Sequence, residues 1–351
     1  MFRSVNGNIN YLTTNVMETV YFLGVDISKK KFDGALTVDG KNFYPGDSGN
    51  TPKDIRTFFK ALMKKFTMSY SQLIVCMEHT GIYCLPLLEF LVENQIRVCL
   101  ESSIQIKRSQ GIVRGKNDKI DAQRIALYAY KNREDLTFWK PQRLPIQKLK
   151  ALLVTRERLV RVRTELKVPI SECEEFIQEP IHKMMTKSCQ NTINALERDI
   201  EKIENMISDL VKEDTPLKEQ YQLTTSVSGI GKITALNVIV STGEFTRINE
   251  SKKFACYSGI APFEHSSGTS IRGKTRVSKI ANMTIKTLLH MAAMSAIQCD
   301  EEIKFYYQRR IGEGKNKMSV INAVRNKLIS RVFACIKEKR IYQKNYKYML
   351  A

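Results

Sequence analysis

Residues 20–28 read VYFLGVDIS, an apolar run that closes on Asp26 and Ser28. A short run rich in β-branched and aromatic residues, bounded by polar ones, predicts a buried strand. Working outward, KFDGALTV (31–38) predicts a second strand. Asp39 and Gly40 are turn residues, and KNFYPG follows as a return strand. Residues 53–66 place Ile55, Phe58, Phe59, Leu62 and Phe66 on one helical face. LIVCMEH (73–79) predicts another buried strand, 82–94 a helix, and IRVCLES (96–102) a further strand. A last helix, from about 118 to 131, carries Ala122, Ile125, Ala126 and Ala129.

Three antiparallel strands followed by alternating helices and strands predict an RNase H-like α/β domain over 20–140. A flavodoxin-like sheet yields a similar pattern. The polar residues 1–19 read as a flexible tail, and Met17 lies just before the first strand, so 1–16 are either a tail or an upstream start. They contain no apolar signal-peptide core.

The middle of the chain differs in character. From Gln142 to Glu213 it is rich in Glu, Lys, Arg and Leu and has no glycine. Ile193, Leu196, Ile200, Ile203, Ile207 and Leu210 are spaced as an a/d heptad seam. Leu149, Leu152, Leu159, Val162 and Leu166 suggest a first arm, with Pro169 and Pro180 breaking the helices between them. This predicts a coiled-coil connector over 141–215, packed either on itself or on a second copy. A mainly helical domain over 220–340 follows, with helices at 250–258, 281–297 and 318–338. It opens on SVSGIGK, where Gly229 and Gly231 precede Lys232. That turn suits a helix-hairpin-helix-like element offering backbone N–H groups to phosphate.

Composition limits the function classes. Lys and Arg number 56 and Asp and Glu 36, a formal charge of +20, which favours a polyanionic partner. Hydrophobic residues make up 43%, enough for real cores. No apolar run approaches the ~20 residues of a membrane span. The eight cysteines form no C-x-x-C pair, which favours reduced thiols and a cytoplasmic protein without a zinc site.

Four carboxylates are the candidates to carry chemistry. Asp26 and Glu78 sit at the ends of predicted strands, and Asp118 and Asp121 lie at i and i+3 of one helix. At one edge of an RNase H-like sheet they would form a set of hard oxygen ligands for one or two Mg²⁺ ions, suited to phosphoryl transfer. Read singly, Asp26 is a strand-end turn residue and Asp118 a helix N-cap. Lys107, Arg108, Arg114, Lys116, Lys119 and Arg124 crowd the pair. They fit either a phosphate backbone or a solvated helix face, the latter accounting well for Arg124. A second set is the loop 262–279, where Ser266 and Ser267 precede Gly268 and Arg272, Lys274, Arg276 and Lys279 follow without an acid. Its residues alone favour an ordinary phosphate-binding loop over a nucleophilic serine. From Lys304 to Arg340 eleven Lys and Arg face Glu313 and Glu338, with Phe305, Tyr306 and Tyr307 as either stacking surface or core.

GVDIS, CMEHTGIY, GKNDKIDAQRIA, SVSGIG and YSGIAPFEHSSGTSIRGKTRVSKIAN together resemble the DEDD-type insertion-sequence transposases, the Piv- and MooV-related recombinases that include bridge-RNA-guided members. The resemblance covers roughly residues 20–340. It implies a RuvC-like N-terminal domain, a coiled-coil connector and a C-terminal transposase domain. It assigns Asp26, Glu78, Asp118 and Asp121 to a tetrad binding Mg²⁺, with Mn²⁺ as a substitute. It promotes Ser267, with Ser266 as the alternative, to a nucleophile that becomes joined to DNA. It further implies a composite site shared between subunits of a dimer or tetramer, donor and target DNA, a structured guide RNA, and a bacterial cytoplasmic, nucleoid-associated enzyme. Family members often carry Thr where this chain has Asn117, and a second glycine where it has Thr269. The competing readings are a RuvC-like nuclease or Holliday-junction resolvase acting by water attack, and a nucleic-acid-binding protein without catalysis.

Overall fold

The computed structural model describes residues 19–109, 117–267, 271–277 and 281–343, and of 264–267 and 271–276 the backbone alone. The chain forms two compact units that divide between Pro141 and Gln142.

In the first unit, β1 (Tyr21–Ile27), β2 (Lys31–Thr37) and β3 (Tyr44–Gly49) form an antiparallel meander. Helix α1 (Pro52–Phe66) leads to β4 (Leu73–Glu78), and α2 (Leu85–Glu93) to β5 (Arg97–Glu101). A short helix, α3 (Ser103–Arg108), and α4 (Asp118–Lys131) complete the unit. The sheet order is β3-β2-β1-β4-β5, with β4 and β5 parallel to β1. The antiparallel first three strands exclude a doubly wound parallel sheet and leave the RNase H-like layout.

Alternation along β1 splits the core between two faces. Leu23, Val25 and Ile27 join Phe32, Ile55, Phe59, Val75, Leu87 and Leu91 on the side of α1 and α2. Phe22 joins Ile74, Cys76, Cys99, Ile106 and Ile125 on the side of α4.

Local chemistry shifts two expected boundaries. The return strand starts at Tyr44, later than expected, because the Asp39 carboxylate accepts from the backbone N–H groups of Lys41 (2.9 Å) and Asn42 (2.8 Å). That side-chain turn holds both residues out of the ladder. The helix expected over 82–94 opens instead as one 3₁₀ turn, Gly81–Cys84, and becomes α-helical at Leu85 with a proline in its first turn.

The second unit is mostly helical. Helices α5 (Leu144–Glu172) and α6 (Glu179–Glu213) form a hairpin, and α7 (Thr215–Thr225), α8 (Lys232–Thr242) and α9 (Ser251–Tyr257) follow. Strands β6 (Pro262–Ser267) and β7 (Ile271–Val277) pair antiparallel. Helices α10 (Met283–Cys299), α11 (Glu301–Gly312) and α12 (Lys317–Glu338) end the unit. The segment expected as a loop over 262–279 is therefore largely a β-hairpin.

Arg156 meets Glu204 at 2.7 Å and Lys167 meets Glu197 at 2.5 Å, so the hairpin arms run antiparallel. Ile193, Ile200 and Ile207 of the heptad seam are buried. Near its base, Ile146, Leu149, Leu153, Ile207 and Val211 join a core with Leu217, Leu236, Ile239, Leu289 and Leu328. Arg143 ties the start of α5 to Asp214 through two bonds of 2.8 and 2.9 Å, and it also binds Glu244. Pro169 does not break α5, which continues to Glu172. It stands in the final turn and removes a single helical donor there. Pro180 stands in the first turn of α6, where its missing N–H costs nothing. Among the described residues no helix is long and apolar enough to cross a membrane.

Candidate active site

The sheet register brings the acids together. Antiparallel pairing sets Asp26 opposite Asp33, and parallel pairing sets Val25 beside Met77, one residue before Glu78. By strand alternation Asp26, Asp33 and Glu78 lie on the face covered by α4. That helix approaches closely because Gly24 has no side chain: a Cβ there would lie 2.1 Å from Ala126 N and 2.3 Å from Ala122 O. Small residues complete the contact, with Ala122 and Ala126 packed on Ala35.

The start of α4 delivers the remaining pair. Asn117 is its N-cap, and its side-chain oxygen accepts from Lys119 N at 3.1 Å. Asp118 is thus the first helical residue rather than the cap, and Asp121 completes the first turn. Both carboxylates stand at the positive end of the helix dipole. A threonine at position 117 could also cap the helix, though less strongly.

Electrostatics report the convergence. The Asp26 carboxyl is pushed up to about 6, first by burial and then by Asp118, Asp121, Glu78 and Asp33. Three of these acids already hold cations of the chain. Lys31 Nζ lies 2.8 Å from Asp33 and 3.5 Å from Asp118. Arg124 Nη1 lies 2.7 Å from Asp121. Arg124 is therefore no solvated-face residue, contrary to the simplest sequence reading.

Asp33 and Lys31 were missed by the sequence reading. Asp33 is 3% exposed, and its signal was an acid inside an otherwise apolar strand, KFDGALT. Glu101 was missed too. It pairs in register with Glu78 and accepts from Cys99 Sγ at 3.4 Å.

Carboxylate oxygens are hard donors, and crowded like charges suit a divalent cation, so the donor set fits Mg²⁺ or Mn²⁺. Among the described residues no three acids, histidines or cysteines are arranged around one ion. Asp118 and Asp121 instead turn toward Lys31 and Arg124, partners they would exchange on binding a metal.

The expected nucleic-acid contacts are distributed over both units. Lys107 and Arg108 form the last turn of α3, and Lys119 is exposed on α4. Arg114 and Lys116 lie outside the described residues, as does Lys279. In the second unit Gly231 is the N-cap of α8 without a side-chain cap, and Lys232 is exposed beside it. Gly229, at φ +88°, has a further role, since a Cβ there would meet Ala292 O and Ala296 Cβ of α10 at 2.6 Å. Ser266 pairs with Arg272 and Ser267 with Ile271 at the end of the β-hairpin, whose β7 also carries Lys274 and Arg276. The basic C-terminal stretch is partly self-neutralised: Arg331 binds Asp300 and Glu302, and Arg310 binds Glu313. Tyr306 and Tyr307 pack on the core, whereas Phe305 is exposed.

Two family models match. Residues 23–173 match the DEDD transposase domain of the IS110 group, and residues 221–308 match the transposase IS116/IS110/IS902 family. The pilin gene-inverting protein of Moraxella bovis is 25% identical over 331 residues, covering 92% of this chain and 98% of that protein. The transposase for insertion sequence element IS1111A of Coxiella burnetii is 28% identical over 207 residues, covering 52% of this chain and 55% of that protein. Among solved structures, the Thermus thermophilus RuvC complex with a Holliday junction substrate aligns at 12% identity and a TM-score of 0.27. It covers 34% of this chain and 99% of RuvC. The two matches lie in order along the chain, the first on the acidic unit and α5 and the second within the helical unit, and they mark it as a transposase, an enzyme that cleaves and recombines DNA.

Proposed function

We propose that the chain is a Mg²⁺-dependent insertion-sequence recombinase in which Asp26, Glu78, Asp118 and Asp121 hold the ion and Ser267 is the nucleophile. Mn²⁺ would substitute. The observation that carries this reading is the gathering of four carboxylates around half-buried Asp26, whose carboxyl is raised to about 6 first by burial and then by these neighbours. Bound there, the ion would offset phosphate charge and ease deprotonation of the attacking hydroxyl. Ser267 Oγ forms a bond to phosphorus, and the bond from phosphorus to a sugar oxygen breaks. That oxygen takes up a proton. A hydroxyl of a second strand then displaces Ser267, rejoining DNA without net hydrolysis.

The match over 98% of a protein named for inverting a gene favours strand exchange over simple cleavage. Guidance by a structured non-coding RNA rests on the resemblance to bridge-RNA-guided members. Backbone amides at Gly229 and Gly231, with Lys232, Arg272, Lys274 and Arg276, would take phosphates of donor and target DNA or of that RNA. Arg114, Lys116, Lys119 and Lys279 extend this set. A homo-oligomer, dimer or tetramer, belongs to the reading. It needs apolar surface other than the buried isoleucine seam, and the hairpin tip offers Phe176, Ile181 and Met184.

The test is a protein–DNA adduct that survives denaturation. It should form with Mg²⁺ and disappear in Ser267→Ala. An adduct lost only in Ser266→Ala would move the role by one residue. Cleavage with no adduct from any variant would leave a water-attacking nuclease.

A further inference from the structure

Helix α12 carries a buried charge that no described residue neutralises. Arg325 is 6% exposed, among the buried residues Ile321, Val324 and Leu328 of the same helix. Its Nη2 lies 2.5 Å from His290 Nδ1 and its Nη1 lies 3.5 Å from Asn322 Oδ1, both uncharged contacts when the histidine accepts. Its Nε has no partner among the described residues. Among the described residues no carboxylate pairs with it. Burial lowers its affinity for the proton.

The location is informative. Asn322 Nδ2 donates to Ile260 O at 2.8 Å, and Ile260 is two residues before β6, the strand that ends on Ser266 and Ser267. His290 and Asn322, which hold the guanidinium, are both half-buried, so its two side-chain partners reach solvent.

An unpaired buried guanidinium is costly, because it gives up its hydration without gaining a counter-charge. Groups kept in such a state gather at functional sites. A guanidinium has the planar fork that matches phosphate oxygens, and a phosphate supplies the missing negative charge. We propose that Arg325, held by His290 and Asn322, is a phosphate seat at the root of the serine hairpin that takes a phosphodiester of a nucleic-acid backbone. This deepens the reading of the second unit as a nucleic-acid-handling body and rests on it.

The test is fluorescence anisotropy with the full chain, R325M and R325K, using a labelled DNA duplex and a labelled RNA hairpin over a series of salt concentrations. For the nucleic acid that fills the seat, R325M should bind about tenfold to a hundredfold more weakly. Its slope of log K against log salt should shrink by about one phosphate contact. R325K should keep the slope and lose part of the affinity, because an ammonium lacks the fork. Free of nucleic acid, R325M should melt no lower than the parent, since methionine removes an uncompensated charge. A loss confined to DNA assigns the seat to a substrate strand, and one confined to RNA assigns it to the guide. An unchanged slope in R325M with both overturns the proposal. Should R325M fail to fold, undiminished affinity of R325K for both overturns it instead. Adduct formation is not read here, so the Ser267 assignment and this one can fail separately.

Discussion

A Cβ on Gly24 would lie 2.1 Å from the backbone nitrogen of Ala126. Helix α4 therefore rests on β1 backbone to backbone, and this contact sets the height at which Asp118 and Asp121 meet Asp26. Because the atoms in the way are backbone, no rotamer change relieves the clash. Gly24→Ala should destabilise the protein by about 1–3 kcal/mol and abolish DNA cleavage. Thermal unfolding and a cleavage assay check both, and full cleavage in this variant would break the link between close packing and the site.

Asp26 gives a pH signature. Its carboxyl rises from 3.8 to about 6 on folding, so folding favours the protonated form. That contribution is complete below about pH 4 and is lost as pH rises through about 6. Asp26→Asn mimics the protonated group. Without metal, the variant and parent should melt alike near pH 4, and the variant should melt higher above pH 6. Recombination should be absent at every pH. Parallel melting curves across this range would show that the Asp26 carboxyl is not raised on folding.

Lys31 competes for the acids. It joins Asp33 and Asp118. Lys31→Met removes the nearest ammonium and should tighten Mn²⁺ binding several-fold by titration calorimetry. Asp33→Asn frees Lys31 to engage Asp118 more fully and should weaken that binding. Changes of the opposite sign would place the ion elsewhere.

The heptad seam is used within the chain. Ile200 is 6% exposed, so Ile200→Asp buries a carboxylate and should cost about 3 kcal/mol or more. Hydrogen exchange should rise along α5 and α6. Phe176, at 86% exposed, stands at the hairpin tip. Phe176→Asp should leave the melting temperature in place and lower the particle mass by light scattering. An unchanged mass would remove the tip from assembly.

Much of the first unit was legible because its signals are local. The run from Tyr21 to Ile27 alternates between two cores, and the D-x-x-D spacing of Asp118 and Asp121 needs one helical turn only. Asp33 was less legible. In sequence it is one acid among 36, and only its pairing opposite Asp26 gives it a role. The β-hairpin of 262–277 was hidden because glycine, serine and arginine carry little strand propensity. Arg325 was counted among the cations of a basic stretch, although burial sets it apart from Arg331, which has Asp300 and Glu302.

From sequence alone came the order of strands and main helices in the first unit, the heptad spacing, the four acids and the charge of +20. These are periodicities and counts, and a chain carries them without folding. Only the tertiary structure decided that Gly24 admits α4, that Lys31 and Arg124 hold two of the acids, that the isoleucine seam turns inward, and that Arg325 has no acidic partner among the described residues. The physical reason is the same in each case. Side-chain period states which face a residue occupies, whereas its neighbour across that face comes from register and packing between distant segments.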